Sequence, residues 1–538
     1  MSETATSETA TPSSIARSSM LMTAATLLSR VTGLLRTWAM AFALGNTLIA
    51  SAYNVANNMP NIIFELVAGG ILTAAFLPLY LTLKEQKGQA ASDAYASNLL
   101  NLTFLVLSCI SIICIVGAPY AVATQTFSAQ SPEVSSVAIV LFRIFAIQIL
   151  LYGMGGIFSI ILNAHRKFFL TSVAPTLNNL VVIAAFIAYS IVVPRDAHLA
   201  LIILGVGTTL GVFVQYVIQI PALIRVKFKW SPTLSLRDQT LRDSFRIALP
   251  TVLFILGTLL IFSCRNIFSL MCTESGPATI AYARIWYQLP YGVIIVSITA
   301  PLFTELSSLA ARGKLIKLRR LLCQSLSVML ALIIPCTALI IALAAPLISL
   351  FRAGAFNASD VAGVSSLLQL WVLSLPLYAI TMYMYQVYAS IKKFFLYAII
   401  CTSGILVQCT LTGILCKPDI LGLYGIAVSD LVYYTLSTVI LIALLRKKVG
   451  AFLLMPMVKT AVKMVVASAI GAGIAYLAQR GFALLIPGKP SMGIGVLELI
   501  CCGVLGLVII VLLGKCMRVA EIDYAADMLK RVKRRFAR

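Results

Sequence analysis

Fourteen mostly apolar stretches, each long enough to cross a bilayer as a helix of roughly 20 residues, follow one another along this chain. They run at about 19–44, 54–83, 99–123, 136–163, 168–194, 198–224, 244–270, 278–310, 321–350, 361–391, 394–416, 421–445, 458–480 and 491–514. Any single run would fit a buried helix of a soluble protein. Fourteen in series leave too little polar chain to cover them, because 60% of the residues are hydrophobic and only 11% are charged. Soluble domains are about 25% charged. The expectation is an all-α integral membrane protein with about fourteen transmembrane helices.

The positive charges set the orientation. With the N-terminus cytoplasmic, the inner segments collect most of the 41 Lys and Arg, in clusters such as Lys84/Lys87, Arg166/Lys167, Arg312–Arg320, Lys392/Lys393, Arg446–Lys448 and Lys530–Arg538. The outer loops hold only Arg195, Arg352, Lys417, Arg480 and Lys489. This is the positive-inside pattern. It places both termini in the cytoplasm, and it explains the net charge of +23 without nucleic acid. Val519, Ile522, Leu529, Val532 and Phe536 fall at helical spacing beside basic residues, which suits either a helix on anionic lipid or a solvated tail.

The chain also repeats itself. Arg166-Lys167-Phe168-Phe169-Leu170 returns as Lys392-Lys393-Phe394-Phe395-Leu396, and Tyr152 returns as Tyr378, both 226 positions on. Arg17 and Arg36 find counterparts in Arg246 and Arg265. The repeat divides the chain into a disordered tail (1–18), a lobe of spans 1–6 (19–224), a basic linker (225–243), a lobe of spans 7–12 (244–446), spans 13–14 (447–515) and a basic amphipathic tail (516–538). Six spans per lobe give both lobes one orientation, hence a parallel pseudo-twofold along the membrane normal. Transporters built this way place their site between repeats and alternate its access.

Five arginines lie inside spans: Arg30, Arg36, Arg143, Arg265 and Arg284. Each costs roughly 2.5–3.5 kcal/mol at mid-bilayer on insertion scales, so each either serves a site, pairs with an acid or reaches an interface. The acids within or near spans are Glu65, Glu305, Asp430 and Glu498. Arg30, Gly33 and Thr37 share one helical face, with Arg36 about 120° away, so one arginine can line a cavity while the other pairs with Glu65; a kink at Gly33 relaxes that limit. A cationic cavity suits an anionic substrate, and the guanidinium fork matches a diphosphate. Prolines within spans, among them Pro60 and Pro290, mark either hinges or ordinary packing kinks.

Other chemistries find no support. No phosphate-binding G-x-x-x-x-G-K-[ST] loop occurs, since Gly313-Lys314, Gly488-Lys489 and Gly514-Lys515 lack the following Ser or Thr. The two histidines, His165 and His198, fall in loops on opposite sides, and the twelve cysteines form no Cys-x-x-Cys, so no metal site or cofactor is expected. A lipid-linked glycosyltransferase would need carboxylates on a substantial loop, and the outer loops are short.

Several motifs carry a family resemblance. Ser29-Arg30-Val31-Thr32-Gly33-Leu34-Leu35-Arg36 resembles the S-R-x-x-G-x-x-R opening of the MurJ/MviN lipid II flippases of the MOP exporter superfamily. Met59-Pro60-Asn61 and Ala75-Phe76-Leu77-Pro78 resemble its helix 2 elements, the stretch Arg143–Leu180 is its most specific match, and Gln288-Leu289-Pro290-Tyr291-Gly292 resembles its helix 8 element. The resemblance implies a V-shaped pair of six-helix lobes, a cationic cavity, and helices 13 and 14 forming a groove for a lipid tail. It also implies movement of an undecaprenyl-diphosphate-linked peptidoglycan precursor across a bacterial cytoplasmic membrane. Arg30, Arg36 and Asn61 match the family's functional positions, and Ser29, Glu65, Arg265 and Arg284 join them as expected substrate-binding residues, with Gly33, Pro60 and Pro290 as hinge or packing positions. The sequence departs from the family pattern at Thr37, Ser51, Phe64, Gly69 and Ile285, the last placing Arg284 one position early.

The expected activity is flipping of that precursor by a monomer in contact with anionic lipids, with no cofactor and with coupling to the membrane potential or a monovalent ion. The alternatives are an exporter of another lipid-linked oligosaccharide, a drug or cation antiporter of the same superfamily, and a non-transporting envelope scaffold.

Overall fold

The computed structural model describes residues 12–69, 76–235, 239–451, 454–485, 492–519 and 521. The polar repeat at 2–11, Ala75, and the expected tail positions Ile522, Leu529, Val532 and Phe536 lie outside the described residues.

Among the described residues every regular element is helical. In chain order these are α1 (Pro12–Leu44), α2 (Leu48–Phe64), α3 (Leu77–Lys87), α4 (Gln89–Val116), α5 (Ala118–Thr126), α6 (Pro132–Phe145), α7 (Gln148–Ala164), α8 (Phe168–Val192), α9 (Ala197–Val217), α10 (Ile220–Arg225) and α11 (Gln239–Cys272). Then come α12 (Gly276–Pro290), α13 (Val296–Ala311), α14 (Leu315–Ala342), α15 (Ala344–Ser349), α16 (Ala358–Trp371), α17 (Leu375–Ser390), α18 (Phe394–Leu415), α19 (Tyr424–Val449), α20 (Met455–Leu485) and α21 (Met492–Cys516). Lipid offers no hydrogen-bond partner to the backbone, so long apolar segments close their bonds internally as helices. Among the described residues, ten helices are long and apolar enough to span a membrane, or eleven when α6 and α7, bent by 42°, count as one.

Seven of the fourteen expected runs are interrupted: those at 99–123, 198–224, 321–350 and 361–391 break between consecutive helices at Gly117, Ile218–Gln219, Leu343 and Val372–Ser374. Those at 54–83 and 278–310 are not continuous α-helices: π turns occupy Glu65–Gly69 and Tyr291–Ile295. Pro60 and Pro290 stand just upstream of these turns, and each removes one N–H from the ladder, which favours a local change of pitch. The run at 136–163 is the bent pair α6 and α7.

The chain divides into two compact units. Unit 1 comprises the chain up to Leu44, Val55–Ala123 and Ser136–Val252; unit 2 comprises Gly45–Asn54, Thr124–Ser135 and the chain from Leu253. In unit 1, α8 packs on both α1 and α9, and α4 packs on α3 and α7. Helices α7 and α9 approach closely at Gly155, where a Cβ would collide with the Tyr216 ring. In unit 2, α20 packs on α14 and α21, and α16, α17 and α18 pack against α19. The segments Gly45–Asn54 and Thr124–Ser135 are held in unit 2 by polar contacts. Tyr282 donates to the Gly45 carbonyl at 2.7 Å, and the Gln125 amide bonds Ser263 at 2.7 Å and Asn266 at 3.1 Å.

In unit 1 the linker after α10 lies along α4. Asp93, Ser97, Asn98 and Asn101, spaced to share one helix face, bond the chain between Lys229 and Ser235. Asn101 alone donates to the Ser231 and Thr233 carbonyls, both at 2.8 Å, and accepts from the Trp230 indole at 2.9 Å.

Among the described residues, four that are not glycine have a left-handed backbone: Arg166, Lys227, Lys392 and Arg518. All are basic, and each follows the C-terminus of a helix. The pattern at Lys392 is typical, with Lys392 N–H bonding Ala389 O at 3.0 Å and Lys393 N–H bonding Tyr388 O at 2.8 Å. This cap normally takes glycine, and a side chain there costs roughly 1–2 kcal/mol. A cation at a helix C-terminus recovers part of that cost through the helix dipole.

Candidate functional site

Three charged side chains of unit 2 converge on one cavity of about 270 Å3, lined by Arg265 on α11, Arg284, Tyr287 and Gln288 on α12, Trp371, Tyr378, Gln408, and Asp430 and Tyr434 on α19. Arg265 Nη2 lies 2.6 Å from Asp430 Oδ2, the one ion pair among the described residues. The same carboxylate accepts from Trp371 Nε1 at 2.8 Å and from Gln408 Nε2 at 2.5 Å. Three donors thus satisfy Asp430, which a buried carboxylate requires if it is to stay charged. The Arg265 guanidinium also sits over the Trp371 ring, 5.6 Å from its centroid, and Tyr287 stacks on that indole at 5.0 Å.

Arg284 lines the same cavity with no carboxylate of its own; its guanidinium faces the Gln288 amide, one turn on, at 3.1–3.3 Å once the amide oxygen is turned toward it. Two guanidiniums against one carboxylate leave the pocket with a charge of about +1. Its volume falls below the roughly 300–1,000 Å3 of drug-sized ligand sites, so it can take a phosphate-sized group rather than a whole glycan.

The other expected residues lie in unit 1. Arg30 is exposed and Arg36 half-buried on α1, and no carboxylate among the described residues forms an ion pair with either. Glu65 instead accepts from Asn61 Nδ2 at 3.0 Å, so these two expected site residues are brought together at the entry to the first π turn. Ser29 offers its backbone carbonyl to Asn179 of α8 at 3.3 Å, and the same amide donates to Thr32 at 3.0 Å. Gly33 faces Asn179, and a Cβ there would lie 3.7 Å from the amide nitrogen, an ordinary contact. Arg143, in the last turn of α6, is exposed.

From the sequence Asp430 is one of several acids within spans with no assigned partner, and Trp371, Gln408 and Tyr434 do not stand out. One signal was present: Tyr433 and Tyr434 follow Asp430 by three and four residues and so share its helix face. Among the described residues no group of three or more His, Cys, Asp or Glu side chains could hold a metal ion.

A family profile described as "Lipid II flippase MurJ" matches residues 40–489, well over half of the chain. The chain belongs to the MurJ family. The relative described as "Probable lipid II flippase MurJ" from Rhizobium tropici is 25% identical over 534 residues, covering 94% of this chain and 93% of its own. The protein of the same description from Borreliella burgdorferi is 26% identical over 380 residues, covering 70% and 72%. A solved structure titled "Lipid II flippase MurJ, inward closed conformation" superposes with a TM-score of 0.75 at 21% identity, over 93% of this chain and 99% of that one. An inward-facing multidrug resistance MATE transporter of the MOP superfamily follows at 0.62 and 17%, over 80% and 94%. At these identities the superpositions show the fold alone, which MurJ shares with MATE. As a member of the MurJ family the chain is a multi-pass membrane transporter and not an enzyme.

Proposed function

We propose that this MurJ-family chain flips the undecaprenyl-diphosphate-linked peptidoglycan precursor, lipid II, from the inner to the outer leaflet of a bacterial cytoplasmic membrane. The observation that carries the reading is the surplus of guanidinium over carboxylate within the spans. Arg30, Arg36 and Arg284 have no carboxylate in ion-pair contact among the described residues. Arginine is costly at that depth, and its fork matches paired phosphate oxygens. In this reading Arg30, Arg36 and Arg284 grip the diphosphate, Arg265 is held ready by Asp430, and Ser29, Asn61 and Glu65 complete the polar surface. Pro60 and Pro290, each upstream of a π turn, and Gly33 give α1, α2 and α12 the freedom to bend.

The fold reading is fourteen spans in two six-span halves plus two, with both termini cytoplasmic and the chain a monomer in contact with anionic lipids. Element boundaries support the two halves: α4 and α14, α6 and α16, and α8 and α18 each begin 226 residues apart, as do the π turns at Glu65 and Tyr291. Alternating access by movement of these halves would carry the headgroup across. An inside-negative potential favours outward movement of anions by about 2.3 kcal/mol per charge per 100 mV.

Conditional depletion tests the proposal: lipid II should accumulate on the inner leaflet, measured by leaflet-resolved labelling. Accumulation of a different undecaprenyl-linked glycan would move the reading to an exporter of that oligosaccharide, which the departures at Thr37, Ser51, Phe64, Gly69 and Ile285 favour as the second reading. A cation exporter is disfavoured, since the unit 2 cavity carries more guanidinium than carboxylate.

A further inference from the structure

A second cavity, of about 630 Å3, opens at the basic end of unit 2. Its walls are the C-terminal turns of α13 (Ser307, Ala310, Ala311), α17 (Ala389, Ser390) and α19 (Val449), and the first residue of α14, Leu315. Lys392, Lys393 and Lys448 converge on it, all exposed, and no acidic side chain lines it. We propose that this cavity binds the phosphate-bearing headgroup of an anionic phospholipid from the leaflet at the basic end, apart from the transported substrate.

Three features point to a lipid rather than to lysines that merely balance helix ends. Three helix C-termini and one N-terminus meet here, and against half a charge per terminus the three lysines leave a surplus of about +2. Lys392 holds the left-handed backbone, φ +57°, that the helix end at Gly313, φ +64°, gives to glycine, so the charge is kept where glycine would be less strained. The floor is apolar and small-sided, made of Ala310, Ala311, Ala389 and Val449, and beside it Ile316 and Phe395 stand 81% and 56% exposed. A cationic rim over an apolar floor, next to exposed apolar side chains, fits an amphiphile at the bilayer boundary. Basic pockets between transmembrane helices bind lipid headgroups in this way.

The test titrates the detergent-solubilised full chain with phosphatidylglycerol and counts bound lipids by native mass spectrometry, with thermal unfolding alongside. Lys392→Gln, Lys393→Gln and Lys448→Gln should each weaken binding of one lipid roughly fivefold, and the triple variant on the order of 100-fold. Lys392→Gly is the fold-safe control: its lipid-free melting temperature should equal or exceed that of the wild type, with the same loss of lipid. Lys314→Gln with Lys317→Gln, outside the cavity, should leave binding unchanged. The proposal is overturned if the triple variant binds as the wild type does, or if the outside pair loses as much. It is equally overturned if phosphatidylcholine binds as well, or if inorganic phosphate or glycerol 3-phosphate alone gives the same thermal shift, since the site would then take a neutral lipid or a free phosphate.

Discussion

Arg36 on α1 and Arg265 on α11 stand at related points of the repeat, yet their surroundings differ. Arg265 is bound to Asp430 within a cavity walled by Trp371, Tyr287 and Tyr434. Arg36 and its neighbour Arg30 have no carboxylate partner among the described residues, and Arg30 is exposed. One arginine is therefore tied into the fold of its unit, and the other two keep their donors available. An arginine inside a span takes its role from the carboxylates it can reach, and Arg265 reaches Asp430 while Arg30 and Arg36 form no ion pair among the described residues.

The largest effect that would break this comparison lies at Asp430. Replacement by alanine strands Arg265 as a buried unpaired charge and leaves the Trp371 and Gln408 donors without their acceptor. The expected loss is about 3–5 kcal/mol, read as a fall in melting temperature of the purified protein. Adding Arg265→Met should return most of it. If the single variant unfolds like the wild type, Arg265 is not tied down and the contrast disappears.

A smaller effect is expected at Asn101, whose amide holds the linker to α4 in unit 1. Asn101→Ala should cost about 1–2 kcal/mol and speed amide exchange across Trp230–Ser235, since three hydrogen bonds are lost at a partly wet site. The corresponding helix end in unit 2 is built differently. Arg319, 226 positions after Asp93, donates its Nε–H to the Val449 carbonyl at 2.6 Å, where Asp93 accepts the Lys229 N–H at 3.2 Å. Opposite charges at matched positions both secure the chain that follows a span, one through its N–H and the other through its carbonyl. The smallest effect belongs to Gly33→Ala, expected to change stability by less than about 0.5 kcal/mol because the added methyl meets Asn179 at ordinary contact distance. A large loss of transport in that variant with normal stability would assign Gly33 to bending rather than packing.

Much of this architecture was legible in the sequence. Apolar runs of span length register directly as helices, and the 226-residue offset heard in Arg166-Lys167-Phe168 and Lys392-Lys393-Phe394 recurs in the first residues of α8 and α18. The π turns were not legible, since one residue of altered pitch leaves hydropathy unchanged; only Pro60 and Pro290 hinted at them. The linker read simply as basic, although Asn98 and Asn101 in the apolar run of α4 were polar groups in need of partners. The Arg265–Asp430 pair joins residues 165 positions apart, and periodicity within one helix cannot choose among several acids on others. Asn61 and Glu65, four apart on one helix, could have been paired from spacing alone.

The central claim is that α1 presents guanidinium forks to a diphosphate. The direct measurement is the rate at which proteoliposomes containing the Arg30→Lys/Arg36→Lys variant translocate a fluorescent undecaprenyl-diphosphate glycan, with melting temperature as the control. Lysine keeps both charges and loses both forks, so translocation should fall at least about tenfold while stability stays within about 0.5 kcal/mol of wild type. Wild-type translocation by the lysine pair, and again by Arg30→Ala/Arg36→Ala, would contradict the account.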